Sequence, residues 1–314
     1  MNAESLEQAS ALERAASAFL ELRPRLFGIA YRMLGSAVEA EDIVQEVWLR
    51  WQNTDRATIE NPSAFLALIT TRLAINVAQS ARSRREAYIG PWLPEPVDTS
   101  LDPTVGAERG EALELAFLLL LERLTPTERA AYVLREAFVY PYAQIADILQ
   151  LSPANARQLV SRARKHLTAV RHEPVDKIEH RRLLTVFLDA AQAGNVAALE
   201  DLFAADVVSS SDGGGVSGAA RFPILGGARV AKFVAAYAPR YWPGADITWV
   251  QVNGRAGVLV PRNRTDVTLL TIEASPRGIH HVMWIVNPAK LDAFERSRSR
   301  GGAGPSARAS GRGR

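Results

Sequence analysis

The chain has 314 residues, 47% hydrophobic and 23% charged, with a formal net charge of +3 and no cysteine. That is a globular composition long enough for two or three domains, and it excludes disulfides and thiolate metal sites. The near-balanced charge leaves any partner preference to the way charge is distributed. Met1 to Ser17 is mixed-charge without a long apolar run, which predicts no signal peptide. The longest apolar run, Leu115 to Leu121, is too short to span a bilayer. A cytoplasmic protein without a membrane role is expected.

Composition divides the chain in order. Residues 1–88 read as one domain, helical from about Phe19. Residues 89–106 carry four prolines and form a linker. Helical patterning returns over 107–172. After a short break, residues 177–295 hold two helices and then β-rich runs such as "DITWVQV" and "TDVTLLTIEA". The Gly/Arg/Ser-rich stretch 296–314 is expected to be disordered.

"SAVEAEDIVQEVWLRWQ" opens with Ser36 and Glu39 at capping-box spacing. Ala40, Ile43, Val44, Val47, Trp48 and Trp51 make one apolar stripe at the helical period. Asp42, Gln45, Glu46 and Leu49 share the opposite face, and no lysine or arginine lies between Arg32 and Arg50. This face is either simply solvated or a protein-docking face with an apolar anchor among acids.

The next helix, "NPSAFLALITTRLAINVAQSARSRREAY", has Asn61 as N-cap and Pro62 at its first position. Leu66, Ile69, Leu73 and Val77 can face a core. Arg72, Asn76 and Gln79 fall on a polar side, followed by Arg82, Arg84 and Arg85, with no acid between Glu60 and Glu86. Terminal arginines complement a helix dipole. Arginines interleaved with amides also suit nucleic acid: Arg for phosphate, Asn and Gln for bases.

"YAQIADILQLSPANARQLVSRARKHL" has the layout of a helix-turn-helix. Gln150 and Leu151 form the turn, Ser152 caps, and Pro153 opens the second helix. Ala156, Leu159, Val160, Ala163 and Leu167 form its buried stripe. Asn155, Arg157, Gln158, Ser161 and Arg162 project outward where a recognition helix enters the major groove, and Arg164 and Lys165 are placed for phosphates.

In the last part, "SDGGGVSG" lacks the closing Gly-Lys-Ser/Thr of a phosphate loop, so a glycine turn allowing close approach of a neighbour is expected. Asp212, Asp246, His280 and His281 are the candidates for proton transfer, but no acid–base pair can be assigned among them. His280 and His281 alternate along a strand, so only one can face a pocket. No metal, no cofactor and no enzymatic activity are expected.

An acidic helix, a basic helix, a linker and a helix-turn-helix, in this order, resemble a bacterial sigma factor of the extracytoplasmic-function group. The stretches that carry the likeness are "EAEDIVQEVWLRW" and "LTPTERAAYVLREAFVYPYAQIADILQLSPANARQLVSRARKHL". Three short motifs resemble hallmarks of the subgroup with a fused SnoaL-like, NTF2-like domain: "WLPEP" with Trp92, Leu93 and Pro94; "DGGG" with Asp212, Gly213, Gly214 and Gly215; and "NPAKL" with Asn287, Pro288, Lys290 and Leu291. The resemblance implies a multidomain chain: two all-α sigma domains, the second with the helix-turn-helix, followed by an α+β NTF2-like cone.

The partners it implies are core RNA polymerase, docked through the face of Asp42, Gln45, Glu46 and Leu49, and promoter DNA. The first basic helix would read the "−10" element and the helix-turn-helix the "−35" element, with the three motifs regulating from within the chain. An unknown small ligand in the cone's pocket stays open. Val216 and Ala289 stand where the subgroup usually has Lys and Asp, so the contact between motifs is expected to be apolar or missing. The competing readings are a helix-turn-helix regulator that works without polymerase, and an enzyme active in the SnoaL-like domain.

Overall fold

A computed structural model describes residues 3–100, 113–216, 218–242, 246–262 and 266–302. The end of the expected linker (101–106), the return of helical patterning at 107 and the tail beyond 302 lie outside the described residues.

The first part is helical: α1 (Ala3–Leu34), α2 (Ala37–Gln52) and α3 (Pro62–Glu86). Ser36 caps α2 by accepting the Glu39 N–H at 3.1 Å, but Glu39 does not close the box. Its carboxylate pairs with Arg84 instead. Glu95, from the linker, caps the helix in another way, accepting from Ser36 Oγ (2.9 Å) and from the Val38 N–H (3.1 Å). The expected stripe of α2 is buried except for Trp48, which is half-buried, and the Trp51 indole donates to the Ala15 carbonyl. By length and composition α3 could cross a bilayer. Here it lies against α1 and α2 and buries Leu66, Ala67, Ala74 and Ala78.

The second part holds α4 (Leu115–Leu121), α5 (Pro126–Glu136), α6 (Tyr142–Leu149) and α7 (Pro153–Thr168). Gln150 ends α6 in the left-handed region at φ 56°. The Ser152 hydroxyl then accepts the Asn155 N–H at 3.2 Å, and this reverses the chain into α7. Ala156, Leu159, Val160, Ala163 and Leu167 are buried as the spacing required. The two helical parts share one continuous apolar core. Across it, Arg25 donates to the Phe138 carbonyl (2.9 Å), and buried Arg129 donates to the Met33 carbonyl (2.7 Å) and to Glu122 (2.6 Å).

The third part is the α+β cone. Helices α8 (Lys177–Gln192), α9 (Val196–Leu202) and α10 (Gly227–Tyr241) lie on one face of a six-stranded sheet, and α11 (Pro288–Gly302) follows it. Its strands are β1 (Phe203–Asp212), β2 (Ile224–Leu225), β3 (Thr248–Val252), β4 (Arg255–Pro261), β5 (Val267–Ser275) and β6 (Gly278–Ile285), in the order β2-β1-β6-β5-β4-β3. Only the β1–β6 pair is parallel. Residues 296–302, expected to be disordered, instead continue α11. Arg298 reaches Glu295 (3.0 Å) and Asp98 (3.7 Å), and those partners hold the basic end in place.

Both faces of this sheet are apolar, which leaves neither free to meet water. Leu184, Phe187, Val230, Val234, Val258, Leu270 and Val282 form one cluster with the helices. The other face carries Leu259, Leu269, Met283 and Ile285, and it is covered by Leu93 of the linker, Leu115 and Ala116 of α4, and Leu291 and Phe294 of α11. The linker thus docks onto the sheet. Asp98 bridges Val252 at the β3 edge, and the Asn253 N–H donates to the Val97 carbonyl at 2.9 Å.

Asn253 is fully buried and left-handed at φ 52°. Its Oδ1 accepts the Val97 N–H (2.9 Å), and its Nδ2 donates to Tyr31 Oη and to the Leu113 carbonyl, both at 2.7 Å. Tyr31 Oη donates onward to the Glu95 carbonyl at 2.6 Å. One amide therefore joins α1, the linker, the start of the second helical part and the β3–β4 turn.

Asn253→Ala leaves buried polar groups unpaired and removes the amide whose hydrogen bonds hold a residue with a β-carbon in the left-handed region, at a combined cost of about 3–5 kcal/mol. Thermal unfolding should drop accordingly, and Asn253→Gly, which relieves the backbone term, should lose about 1 kcal/mol less.

One buried and one partly buried histidine of the cone predict acid sensitivity. His180 donates from Nε2 to the Ile272 carbonyl, and burial lowers its pKa to about 4. Burial lowers His281 to about 4 as well. Both are neutral in the fold, while the unfolded chain binds protons below the ordinary 6.5. Their contribution is therefore complete above pH 6.5 and is lost as pH falls toward 4, by up to roughly 1.4 kcal/mol per pH unit for each. Urea midpoints across this range should fall, and His281→Gln should make the fall shallower than in the unmodified chain.

Candidate functional site: a carboxylate hub on the linker and two basic helices

Asp212 ends β1, and its side chain is fully buried. Oδ1 accepts from Tyr88 Oη at 2.5 Å. Oδ2 accepts the Leu93 N–H at 2.8 Å and Lys290 Nζ at 2.7 Å. Lys290 also donates to the Leu93 carbonyl. Asn287 Nδ2 donates to Tyr88 Oη at 2.8 Å, while its Oδ1 accepts the Ala289 N–H and starts α11. Burial pulls Lys290 below the ordinary lysine value, against the opposing pull of Asp212. Burial and the Asp212 carboxylate both push the Tyr88 phenol up.

Two cations lie close to the Trp92 indole. The Arg85 guanidinium is 3.7 Å from one of its ring centroids and Lys290 Nζ 4.6 Å, both within cation–π range. The indole rests on Gly35, where a β-carbon would come within 2.8 Å of it. Pro94 is buried beside the same glycine. Gly214 and Gly215 are left-handed at φ 58° and 90°; a β-carbon on Gly214 would sit 2.5 Å from the Asn287 amide. Gly213 is buried, and Pro288 is exposed at the first turn of α11. Leu93 and Leu291 share the apolar cluster on the outer sheet face.

The three motifs therefore meet, though not through the chemistry expected. Val216 and Ala289 are exposed, and the contact is not missing: Leu93 and Leu291 give it an apolar part, but its centre is charged. It is a buried ion pair between Asp212 and Lys290, which both remain in this chain. Tyr88 is the member that sequence reasoning missed; it lay at the edge of a helix with no motif around it.

The acidic face stands as expected in position. Asp42, Gln45 and Leu49 are exposed, Leu49 at 49%. Glu46 is half-buried and paired with Arg50 at 2.8 Å. Gln45 also borders a groove lined by Phe19, Leu20, Val44 and Trp48.

The first basic helix departs from expectation. Asn76 and Gln79 are exposed, but three arginines are used inside the molecule. Arg72 Nε donates to the Ile148 carbonyl at 3.1 Å, Arg84 pairs with Glu39, and Arg85 pairs with Glu122 and donates to the Leu34 carbonyl. Burial lowers the Arg85 pKa below the usual guanidinium value. Packing of the second helical part on α3 turns Arg72 and Arg85 into interface groups, whereas Arg84 stays exposed and pairs within the first helical part. The Arg82 side chain lies outside the described residues.

Along α7, Asn155, Arg157, Gln158, Ser161, Arg162, Arg164 and Lys165 are all exposed. Arg157 lies over the Tyr142 ring at 5.5 Å, Arg164 pairs with Glu136 at 2.6 Å, and Arg162 is 3.8 Å from Glu128.

A cavity of about 70 Å³ opens between α10 and the sheet, lined by Phe233, Tyr237, Trp242, Val260, Arg262, Thr268 and Trp284 among others. None of the four proton-transfer candidates is among its described lining residues. Asp212 is locked in the hub and Asp246 is exposed. His280 bonds Asp206 and Ser275, and His281 meets the Ser210 hydroxyl at 2.9 Å.

The family model for sigma-70 region 2 matches residues 18–85, and that for sigma-70 region 4 matches residues 114–167. The ECF RNA polymerase sigma factor SigJ of Mycobacterium tuberculosis is 39% identical over 235 residues, 73% of this chain and 74% of that one. "Probable ECF RNA polymerase sigma factor SigI" of the same species is 29% identical over 276 residues, 86% of this chain and 92% of that one. The crystal structure of M. tuberculosis SigJ superposes with a TM-score of 0.72 at 33% identity, covering 88% of this chain and 98% of that one. With both sigma-70 regions in order, and a SigJ-like chain and fold extending through the cone, the protein belongs to the extracytoplasmic-function RNA polymerase sigma factors.

Proposed function

We propose that this sigma factor is held in a closed resting form by its own cone, and that it opens when it directs core RNA polymerase to a promoter. The observation that carries the reading is the Asp212 hub. A carboxylate of the cone holds Tyr88 and Leu93 of the linker between the two sigma regions. The "−10" and "−35" elements are separated by about 25 base pairs, on the order of 80 Å of B-form DNA. In the closed form α3 and α6 touch through Arg72 and Ile148, so both elements cannot be read at once. Opening has to break the contacts of Arg25, Arg72, Arg85 and Arg129, and it frees Arg72 and Arg85 for phosphate.

Asp42, Gln45 and Leu49 are solvent-facing in the closed form, with Glu46 beside them. They support docking on polymerase before opening. Asn76, Gln79, Asn155, Arg157, Gln158 and Ser161 are proposed as base-reading groups, with Lys165 on phosphate. The cone acts by contact rather than by catalysis. A ligand in its cavity is a finer possibility within the same reading. At about 70 Å³ the cavity is roughly half the size of one known to hold benzene, so an occupant would have to be small or widen it.

Asp212→Asn leaves the Lys290 ammonium buried against a neutral group, and breaking a buried pair in this way costs about 3–5 kcal/mol. Run-off transcription with core polymerase should rise several-fold, and the distance between fluorophores on Ser80 and Ser161 should lengthen. Asp212→Asn with Lys290→Met should recover much of the closed distance. Unaltered distance and transcription in the single variant would defeat the proposal.

Arg157→Ala and Gln158→Ala should each cost about 1–3 kcal/mol at the upstream element and relax base preference there. Lys165→Ala should weaken binding on every sequence and flatten its salt dependence. A promoter panel titrated at two salt concentrations separates the two behaviours.

A further inference from the structure

Where the chain leaves the helix-turn-helix for the cone, three side chains far apart in sequence converge. His172 lies in the segment between α7 and α8, Asp206 on β1 and His280 on β6. His280 Nδ1 is 2.6 Å from Asp206 Oδ1, and His172 Nε2 is 3.2 Å from Asp206 Oδ2. One ligand atom from each of the three lies within 4.8 Å of the others. The two imidazoles are stacked, with centroids 3.5 Å apart and planes 13° apart.

The remaining ring nitrogens are also held. His172 Nδ1 meets Glu273 Oε1 at 3.2 Å, and His280 Nε2 meets Ser275 Oγ at 2.7 Å. Each histidine thus turns one nitrogen toward a common carboxylate while an oxygen partner fixes the other. That is the outer-sphere arrangement that orients histidine ligands in metal sites. The Ser275 hydroxyl already accepts the Arg277 N–H, and its second lone pair can accept an N–H from His280.

We propose that His172, Asp206 and His280 bind a divalent cation of the zinc class. Zinc–ligand distances near 2.0–2.1 Å place tetrahedral ligand atoms about 3.4 Å apart; the two separations to Asp206, 2.6 and 3.2 Å, are shorter, so the ion has to spread the cluster slightly and turn one imidazole out of the stack to bring both lone pairs onto it. Two imidazoles and one carboxylate suit zinc and its first-row neighbours. They do not suit magnesium or calcium, which take oxygen shells. Asp206 is 61% exposed, so water can reach a fourth position. Bound there, the ion fastens the segment leaving the helix-turn-helix to two strands of the cone, by ligand bonds that do not involve the Asp212 hub. The site itself does not depend on the closed-form reading; only its consequence for opening does.

The test uses the full-length chain freed of metal. Zinc titrated by calorimetry should bind one equivalent at this site. Cobalt should give visible ligand-field bands that zinc displaces. His172→Ala should weaken zinc by at least about tenfold, and Glu273→Gln by about tenfold through loss of orientation. His172 is half-buried in a connecting segment, so its substitution leaves the sheet intact, and a thermal melt without metal checks this. His280→Ala should act alike where it folds. Absence of a binding heat with zinc in excess, or zinc affinity and cobalt bands unchanged in His172→Ala, would overturn the site. Transcription plays no part in these readouts, so a failed closed-form reading and a failed metal site remain distinguishable.

Discussion

The buried pair of Asp212 and Lys290 is the interaction on which the arrangement of this molecule turns. Two opposite charges removed from water are costly unless every remaining lone pair and proton finds a partner. Here the partners come from another part of the chain. Tyr88 and the Leu93 N–H complete the carboxylate, and the Leu93 carbonyl helps to complete the ammonium. The cone cannot bury its own ion pair well without the linker in place. Such a contact adds little net stability over an apolar one, but it tolerates very few alternative geometries. A linker that slipped by one residue would lose the amide that Asp212 accepts and the indole that Arg85 and Lys290 lie close to.

A second constraint acts in the same direction. A sheet with two apolar faces needs two covers. The cone's own helices α8, α9 and α10 cover one face, while Leu93, Leu115 and Ala116 from the sigma portion help α11 to cover the other. Arg255 reinforces this by donating to Glu114 (2.8 Å) and to the Val175 carbonyl (2.8 Å), at the two ends of the region-4 portion. Apolar burial supplies the attraction, and Asp212 and Asn253 supply the register.

The same physics explains why the basic residues of α3 are occupied. A guanidinium carries five donors in a rigid fork and is equally suited to a phosphate, a carboxylate or a row of carbonyls. With promoter DNA absent, Arg85 meets Glu122 and the Leu34 carbonyl, and Arg72 meets Ile148. In the closed-form proposal, DNA and the second sigma region compete for one set of donors, and that competition would couple DNA binding to opening.

What the sequence determined by itself were the features written in short-range spacing. The Ser152–Pro153 cap and turn, the buried stripe of α7, the apolar stripe of α2 and the Asn61–Pro62 start of α3 all depend on residues within one or two helical turns, where periodicity and capping are physically local. The motifs around Trp92, Asp212 and Asn287 could be singled out by resemblance, but their chemistry could not. Val216 and Ala289 pointed away from a charged contact, whereas Lys290 made one. Tertiary structure alone decided that Glu95 rather than Glu39 completes the cap of α2 and that Arg85 faces inward. It also decided that Asn253 joins four segments and that His172, Asp206 and His280 meet. Each of these rests on groups distant in sequence, brought together by burial of apolar faces whose mutual orientation no local pattern encodes.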